Sequence, residues 1–204
     1  MISDPRVTQM FEPAYLGKVT RKSDIISRLN ELHVLLREMP QLEAAERPAG
    51  FTKTAAQLIS QRIMANTDKD MRLLACCCIV DMFRISAPDI PYSDEECVTI
   101  FEALVSILRG LATCDPSVGN GTKIVYILQS LATVKTCVLP VILASSGVPG
   151  AEDVQLGMFH ALVSSVHADH GEESKWPWSI LLMSCWPGLC EAHISFSLHS
   201  AVAE

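Results

Sequence analysis

Eight consecutive apolar residues, LLACCCIV at 73 to 80, sit inside the stretch DKDMRLLACCCIVDMFRISAPDIPYS that runs from 68 to 93. By periodicity alone such a run is also a buried strand. Length decides for helix: Thr67 stands three before Asp70 in a capping-box-like start, Pro88 cannot continue a helix, and the roughly nineteen residues between them exceed an ordinary strand. A helix that is apolar nearly all round must be covered on more than one side. The run therefore predicts an element in the middle of a helical stack.

The flanking segments agree. Ile25, Leu29, Leu32, Leu36 and Met39 keep helical spacing between Ser23, a possible cap, and Pro40, a stop. A second helix is expected in TKTAAQLISQRIM, with Ala56, Ile59 and Ile63 as its stripe. SDEE at 93 to 96 is a capping box, after which Cys97, Ile100, Phe101, Leu104, Leu108 and Leu111 hold the period. Ile124, Ile127, Leu128 and Leu131 mark another helix, VKTCVLPVILASSGVPG a shorter one interrupted by proline, and Phe159, Leu162, Val163 and Val166 one face of a last one. With 49% hydrophobic but only 6% aromatic residues, the core must be built from aliphatic side chains, Met and Cys, which suits helix on helix. The expected fold is all-α, an α-solenoid of HEAT/armadillo-like antiparallel helix pairs over 23–172. Residues 1–22 show no period and read as an extended lead-in. Residues 173–204, where Trp176, Trp178 and Trp186 crowd together and the period is lost, read as a divergent tail with no assigned order or function.

Chemistry is harder to find than packing. Successive helical residues point about 100° apart, so Cys76, Cys77 and Cys78 cannot all face one metal ion. C-x-x-C spacing never occurs, and small polarisable thiols suit a tight helix crossing. Cys185, Cys190, His193 and His199 in the tail fit no zinc spacing, and His167 and His170 read as a solvated pair near a helix C-terminus. GNGTK at 119–123 lacks the rest of a phosphate loop and is read as a turn. No nucleophile motif stands out, and no catalytic, metal or cofactor-binding residue is assigned. Arg84, three after Asp81, reads as half of a solvated ion pair. Arg21, Lys22, Lys69 and Arg72 form a candidate basic patch for a phosphate-rich ligand or an acidic peptide.

The formal charge of −7 argues against nucleic-acid binding by whole-molecule electrostatics. The N-terminus, with Asp4, Pro5, Glu12 and Pro13, lacks the basic start and apolar centre of a secretory peptide, so a reducing cytosolic or nuclear setting and thiols rather than bridges are expected. The stretch WPWSILLMSCWPGLC at 176–190 is short of the ~20 residues that span a bilayer, and no membrane partner is expected.

The segment from Asp68 to Ser93, with Arg72-Leu73-Leu74, the cysteines, Asp81, Phe83-Arg84, Ala87-Pro88 and Pro91-Tyr92, resembles the N-terminal repeats of the cohesin-associated HEAT-repeat family named for precocious dissociation of sisters (Pds five). The likeness continues more weakly through 23–40, IFEALVSILRGL, YILQSLATVKTCVL and 156–170, and ends after Lys175. The resemblance implies a non-enzymatic nuclear, chromatin-associated scaffold in sister chromatid cohesion. Its implied partners are the cohesin kleisin subunit, the release factor and the acetyltransferase, with DNA met only through chromatin. It also implies an inositol polyphosphate near Lys69 and Arg72. Two other readings start from the residues alone: an unrelated HEAT or armadillo interaction scaffold, and a helical enzyme or thiol sensor built on Cys76 to Cys78 or on the tail, which would need an exposed low-pKa thiolate.

Overall fold

A computed structural model describes residues 5–112, 115 and 117–164, so the readings at His167, His170 and the tail histidines and cysteines lie outside the described residues. The described chain is helical throughout its regular structure: α1 Pro5–Met10, α2 Pro13–Gly17, α3 Lys22–Glu38, α4 Phe51–Leu58, α5 Gln61–Met64, α6 Lys69–Ser86, α7 Asp94–Leu108, α8 Asn120–Val134, α9 Leu139–Ser145 and α10 Ala151–Val163. No strand occurs among the described residues. Helix α6 packs on α3 along one flank and on α8 along the other, with α4, α5 and α7 against its remaining sides. Every residue from Leu73 to Phe83 is buried as a result. Beyond it, α10 lies between α7 and α9 and extends the stack. This is the α-solenoid of helix pairs that the apolar run demands.

Local signals place most helix ends. Ser93 Oγ accepts from the Glu96 amide while the Glu96 carboxylate accepts from the Ser93 amide, closing the capping box that starts α7. Ala87 ends α6 one residue before Pro88. The start of α6 differs from expectation: Asp68, not Thr67, is the cap, its Oδ1 accepting from the Met71 amide at 2.9 Å, because Asp68 is the residue placed three before an unpaired amide. Ser23 likewise falls inside the first turn of α3, and Arg21 takes the cap position without a side-chain bond. Pro140 opens α9 rather than interrupting it, since the first turn has no use for the missing N–H.

Three expectations about packing are corrected. Residues 5–17 are not extended: α1 and α2 start at prolines and are too short for a period to show. They are held down by buried Val7, Phe11, Tyr15 and Leu16, by Phe11 stacked on Phe51 with ring centroids 5.7 Å apart, and by Arg62, which donates to the Val19 carbonyl at 2.7 Å. Gly50, at φ +128°, permits this docking, because a Cβ there would lie 2.0 Å from the Phe11 carbonyl oxygen. The expected second helix is broken at Ser60 into α4 and α5, and its buried face is Phe51, Thr54, Ala55 and Leu58, which leaves Ala56 exposed. In α10 the buried face is Val154, Met158, Ala161 and Leu162, with Phe159 and Val163 only half-buried, because α7 and α9 both press on it and shift the stripe.

Candidate functional site

The beginning of α6, the end of α7 and the beginning of α8 meet around a cleft of about 330 Å³. Helical spacing puts each lining set on one face: Lys69, Arg72 and Leu73 from α6, Ala103, Ser106, Ile107 and Gly110 from α7 and the turn after it, and Asn120 and Ile124 from α8. Among the described residues no carboxylate lines this cleft, although the chain as a whole carries −7. Arg72 is partly buried, and its Nε is fully buried without a hydrogen-bond partner among the described residues. Neither Lys69 nor Arg72 makes an ion pair among the described residues. Asn120 donates to Asp70 Oδ1 at 2.7 Å, and this bond divides the cleft from a more polar neighbour lined by Ser27, Asn30, Asp70 and Lys123.

The four basic residues expected as one patch are thus distributed. Lys69 and Arg72 share the cleft, one helical turn apart on α6. Lys22 is engaged by the Asp68 carboxylate, and that bond, with the Met71 amide, holds Asp68 below the usual carboxylate range. Arg21 lines a different cleft between α2 and α3, where Lys18 and Arg28 are offset by Glu12 and Asp24. Sequence spacing could place Lys69 beside Arg72, because both lie on one helix. It could not place Ile107 or Asn120 opposite them.

The adjacent thiols are interior. Cys76, Cys77 and Cys78 are fully buried, and Cys78 Sγ donates to the Leu29 carbonyl of α3 at 3.4 Å. Burial pushes Cys77 up to about 12 and raises Cys76 and Cys78 as well. A sensor needs the opposite, an accessible thiolate. Cys97 is also a free thiol, whereas Cys137 is disulfide-bonded, against the expectation of thiols throughout.

Asp81 corrects the reading of a solvated pair with Arg84. Its carboxylate is fully buried and joins three helices: Oδ2 accepts from His33 Nδ1 of α3 at 3.0 Å, and Oδ1 from the Tyr126 hydroxyl of α8 at 2.6 Å. With the carboxylate oxygen as acceptor, His33 Nδ1 is the donor of this bond. The Arg84 guanidinium stands 3.6 Å from Asp81 and spends its short bonds on the end of α3, donating to the Leu36 and Met39 carbonyls at 2.6 and 2.7 Å. Tyr126 packs edge-on against His33, with Arg37 4.9 Å above its ring. Burial first, and then the Asp81 bond, raises the Tyr126 hydroxyl above its ordinary range. The cluster is a clasp across α3, α6 and α8, built immediately after the apolar run of α6.

Comparison with known proteins gives one consistent result. The family described as "Sister chromatid cohesion protein PDS5 protein" matches residues 23–181. The chain is 26% identical over 155 residues to the Sister chromatid cohesion protein PDS5 homolog D of Arabidopsis thaliana, covering 76% of this chain and 18% of that protein. It is 31% identical over 137 residues to the Sister chromatid cohesion protein pds5 of Schizosaccharomyces pombe, covering 67% of this chain and 11% of the relative. The chain therefore spans less than a fifth of the length of these relatives. Among solved structures, a chain from "Structure of the Pds5-Scc1 complex and implications for cohesin function" superposes with a TM-score of 0.65 at 20% identity, over 82% of this chain and 23% of that one. That likeness concerns the fold.

Proposed function

This chain belongs to the PDS5 family of sister chromatid cohesion proteins, and from that membership we propose that it is part of a non-enzymatic cohesin regulator that binds the kleisin subunit of the cohesin ring. The observation that carries the reading is the family match over 23–181, supported by the same fold in a Pds5 chain solved as the Pds5-Scc1 complex. The mechanism is one a helical stack performs well. Apolar anchors of an extended or helical partner segment are buried in grooves between neighbouring helices, and charges at the rim select the register. Rigid packing around α6 keeps those grooves in fixed relation, so that little ordering cost falls on the scaffold when the partner docks.

Within the same reading, the release factor and the acetyltransferase of cohesin are further partners, and the protein works in the nucleus on chromatin, reaching DNA through cohesin rather than by direct contact. The acidic balance of the chain agrees with indirect DNA association. The test is direct. Purified chain and purified kleisin, mixed at micromolar concentration and run through size exclusion, are expected to co-elute as a complex. Separate elution, with a full-length PDS5 protein co-eluting under the same conditions, would remove this segment from the kleisin-binding surface.

A further inference from the structure

We propose that the cleft between α6, α7 and α8 docks an extended peptide segment that presents one acidic side chain and one aliphatic side chain. The cationic end of the lining supplies the first requirement. The Arg72 side chain lines the cleft and makes no ion pair among the described residues, while its Nε is buried beneath the surface of the cleft. A carboxylate in the cleft meets this guanidinium in a charge-assisted contact, and Lys69, one turn away, adds a second positive charge with no competing carboxylate among the described lining residues.

The rest of the lining supplies the second requirement. Leu73, Ala103, Ile107 and Ile124 form an apolar wall beside the two cations. A free polyphosphate would find two positive charges and a surface it cannot use, whereas an acidic peptide with a neighbouring Leu, Ile or Val uses both halves. The volume, 330 Å³, lies at the low end of the ~300–1,000 Å³ of ligand pockets and matches side chains from an extended segment rather than a whole helix. The Ser106 hydroxyl and the Asn120 amide add hydrogen-bonding groups for the peptide backbone. The cleft lies at the opposite end of the α6 and α7 pair from the Ala87 to Ser93 turn. The inference stands apart from kleisin binding, because it names what this cleft holds whichever protein supplies the segment, and either proposal can fail alone.

The probe is a set of short, end-blocked, fluorescein-labelled peptides with a Glu and a Leu adjacent or a few residues apart, read by fluorescence anisotropy on the whole chain. At least one spacing is expected to bind, with Glu→Gln or Leu→Ser in that peptide each weakening it about tenfold, or roughly 1.4 kcal/mol. On the protein, Arg72→Gln is expected to weaken binding at least as much and to flatten its salt dependence. Ala103→Trp, which fills the apolar wall and keeps both cations, should abolish binding. Lys69→Glu, at the exposed rim, tests the charge half of the lining and keeps the proposal testable should the tryptophan variant not fold. Equal binding by wild type, Arg72→Gln and Lys69→Glu would overturn the proposal. So would saturable binding of inorganic pyrophosphate with no peptide of the set binding, which would make the cleft an anion site.

Discussion

Asp81→Ala is expected to lower the unfolding free energy by about 3–5 kcal/mol, the cost of removing one member of a buried, hydrogen-bonded charged set. The carboxylate holds His33 of α3 and Tyr126 of α8 at once, so its loss leaves a buried imidazole N–H and a phenol without their acceptor. Against a total stability of ~5–15 kcal/mol for a domain, that is a large share. Urea unfolding followed by far-UV circular dichroism should show the midpoint falling with little change in slope. Tyr126→Phe keeps the bond between His33 and Asp81 and should cost about 1 kcal/mol. Because both changes act on the same clasp, the double variant should lose less than the sum. A cost for Asp81→Ala within ~0.5 kcal/mol, the range of an ordinary surface change, would show that the clasp does not form.

Phe83→Ala should cost a similar amount by another route. Its ring is fully buried, near-parallel to Phe101 of α7 with centroids 6.1 Å apart, and met edge-on by Tyr92 at 5.6 Å. Truncation removes the transfer free energy of the ring and leaves a cavity at the junction of α6 with α7, together about 3–5 kcal/mol. For a chain of this size each kcal/mol moves Tm by ~2–4 °C, so a fall on the order of 10 °C is expected by differential scanning calorimetry. Tyr92→Phe is the instructive contrast. The Tyr92 hydroxyl is buried with no partner among the described residues, so removing it should be neutral or slightly stabilising. A destabilised Tyr92→Phe would mean that the hydroxyl has an acceptor and that the packing around Phe83 differs from this arrangement.

What could be read from the sequence follows the range of the forces involved. Helices α3, α6, α7 and α8 are marked by signals that act within a few residues: a cap, an apolar period and a proline. α3, α6 and α7 start within a residue or two of the places those signals indicate, whereas α8 begins at Asn120, inside the GNGTK stretch read as a turn, because only Gly119, at φ +59°, turns the chain and the residues after it are already helical. The docked helices α1 and α2 lack such signals, since five or six residues cannot show a period, and they are held by Phe51, Gln57 and Arg62 from a later part of the chain. Asp81 and Arg84 have the spacing of a surface pair, and nothing nearby reveals that His33, 48 residues away, and Tyr126, 45 residues away, would enclose the carboxylate.

The candidate site divides along the same line. Lys69 and Arg72 are legible as helical neighbours because they share α6. Arg21 has no such tie to them and lines another cleft, and Lys22 is occupied by the residue that caps α6. The apolar wall that gives the cleft its selectivity comes from Ile124, which lies on the period of α8, and from Ala103 and Ile107, which lie off the α7 stripe and are half-buried, so nothing in the sequence places them on the face that approaches the start of α6. A helix covered from all sides is legible as such. The choice of neighbours is made by long-range packing.

The account rests on α6 being enclosed by α3, α4, α5, α7 and α8, with its three adjacent thiols as packing material. Pulsed alkylation with a small maleimide, read by mass spectrometry at increasing urea, tests this at single residues. Cys76, Cys77 and Cys78 are expected to stay unmodified in native buffer and to react together only across the global unfolding transition, as burial and their raised pKa values require. Modification of any one of them in the folded protein at the rate of an unstructured thiol would contradict the enclosed helix, and with it the stack that forms the binding surfaces.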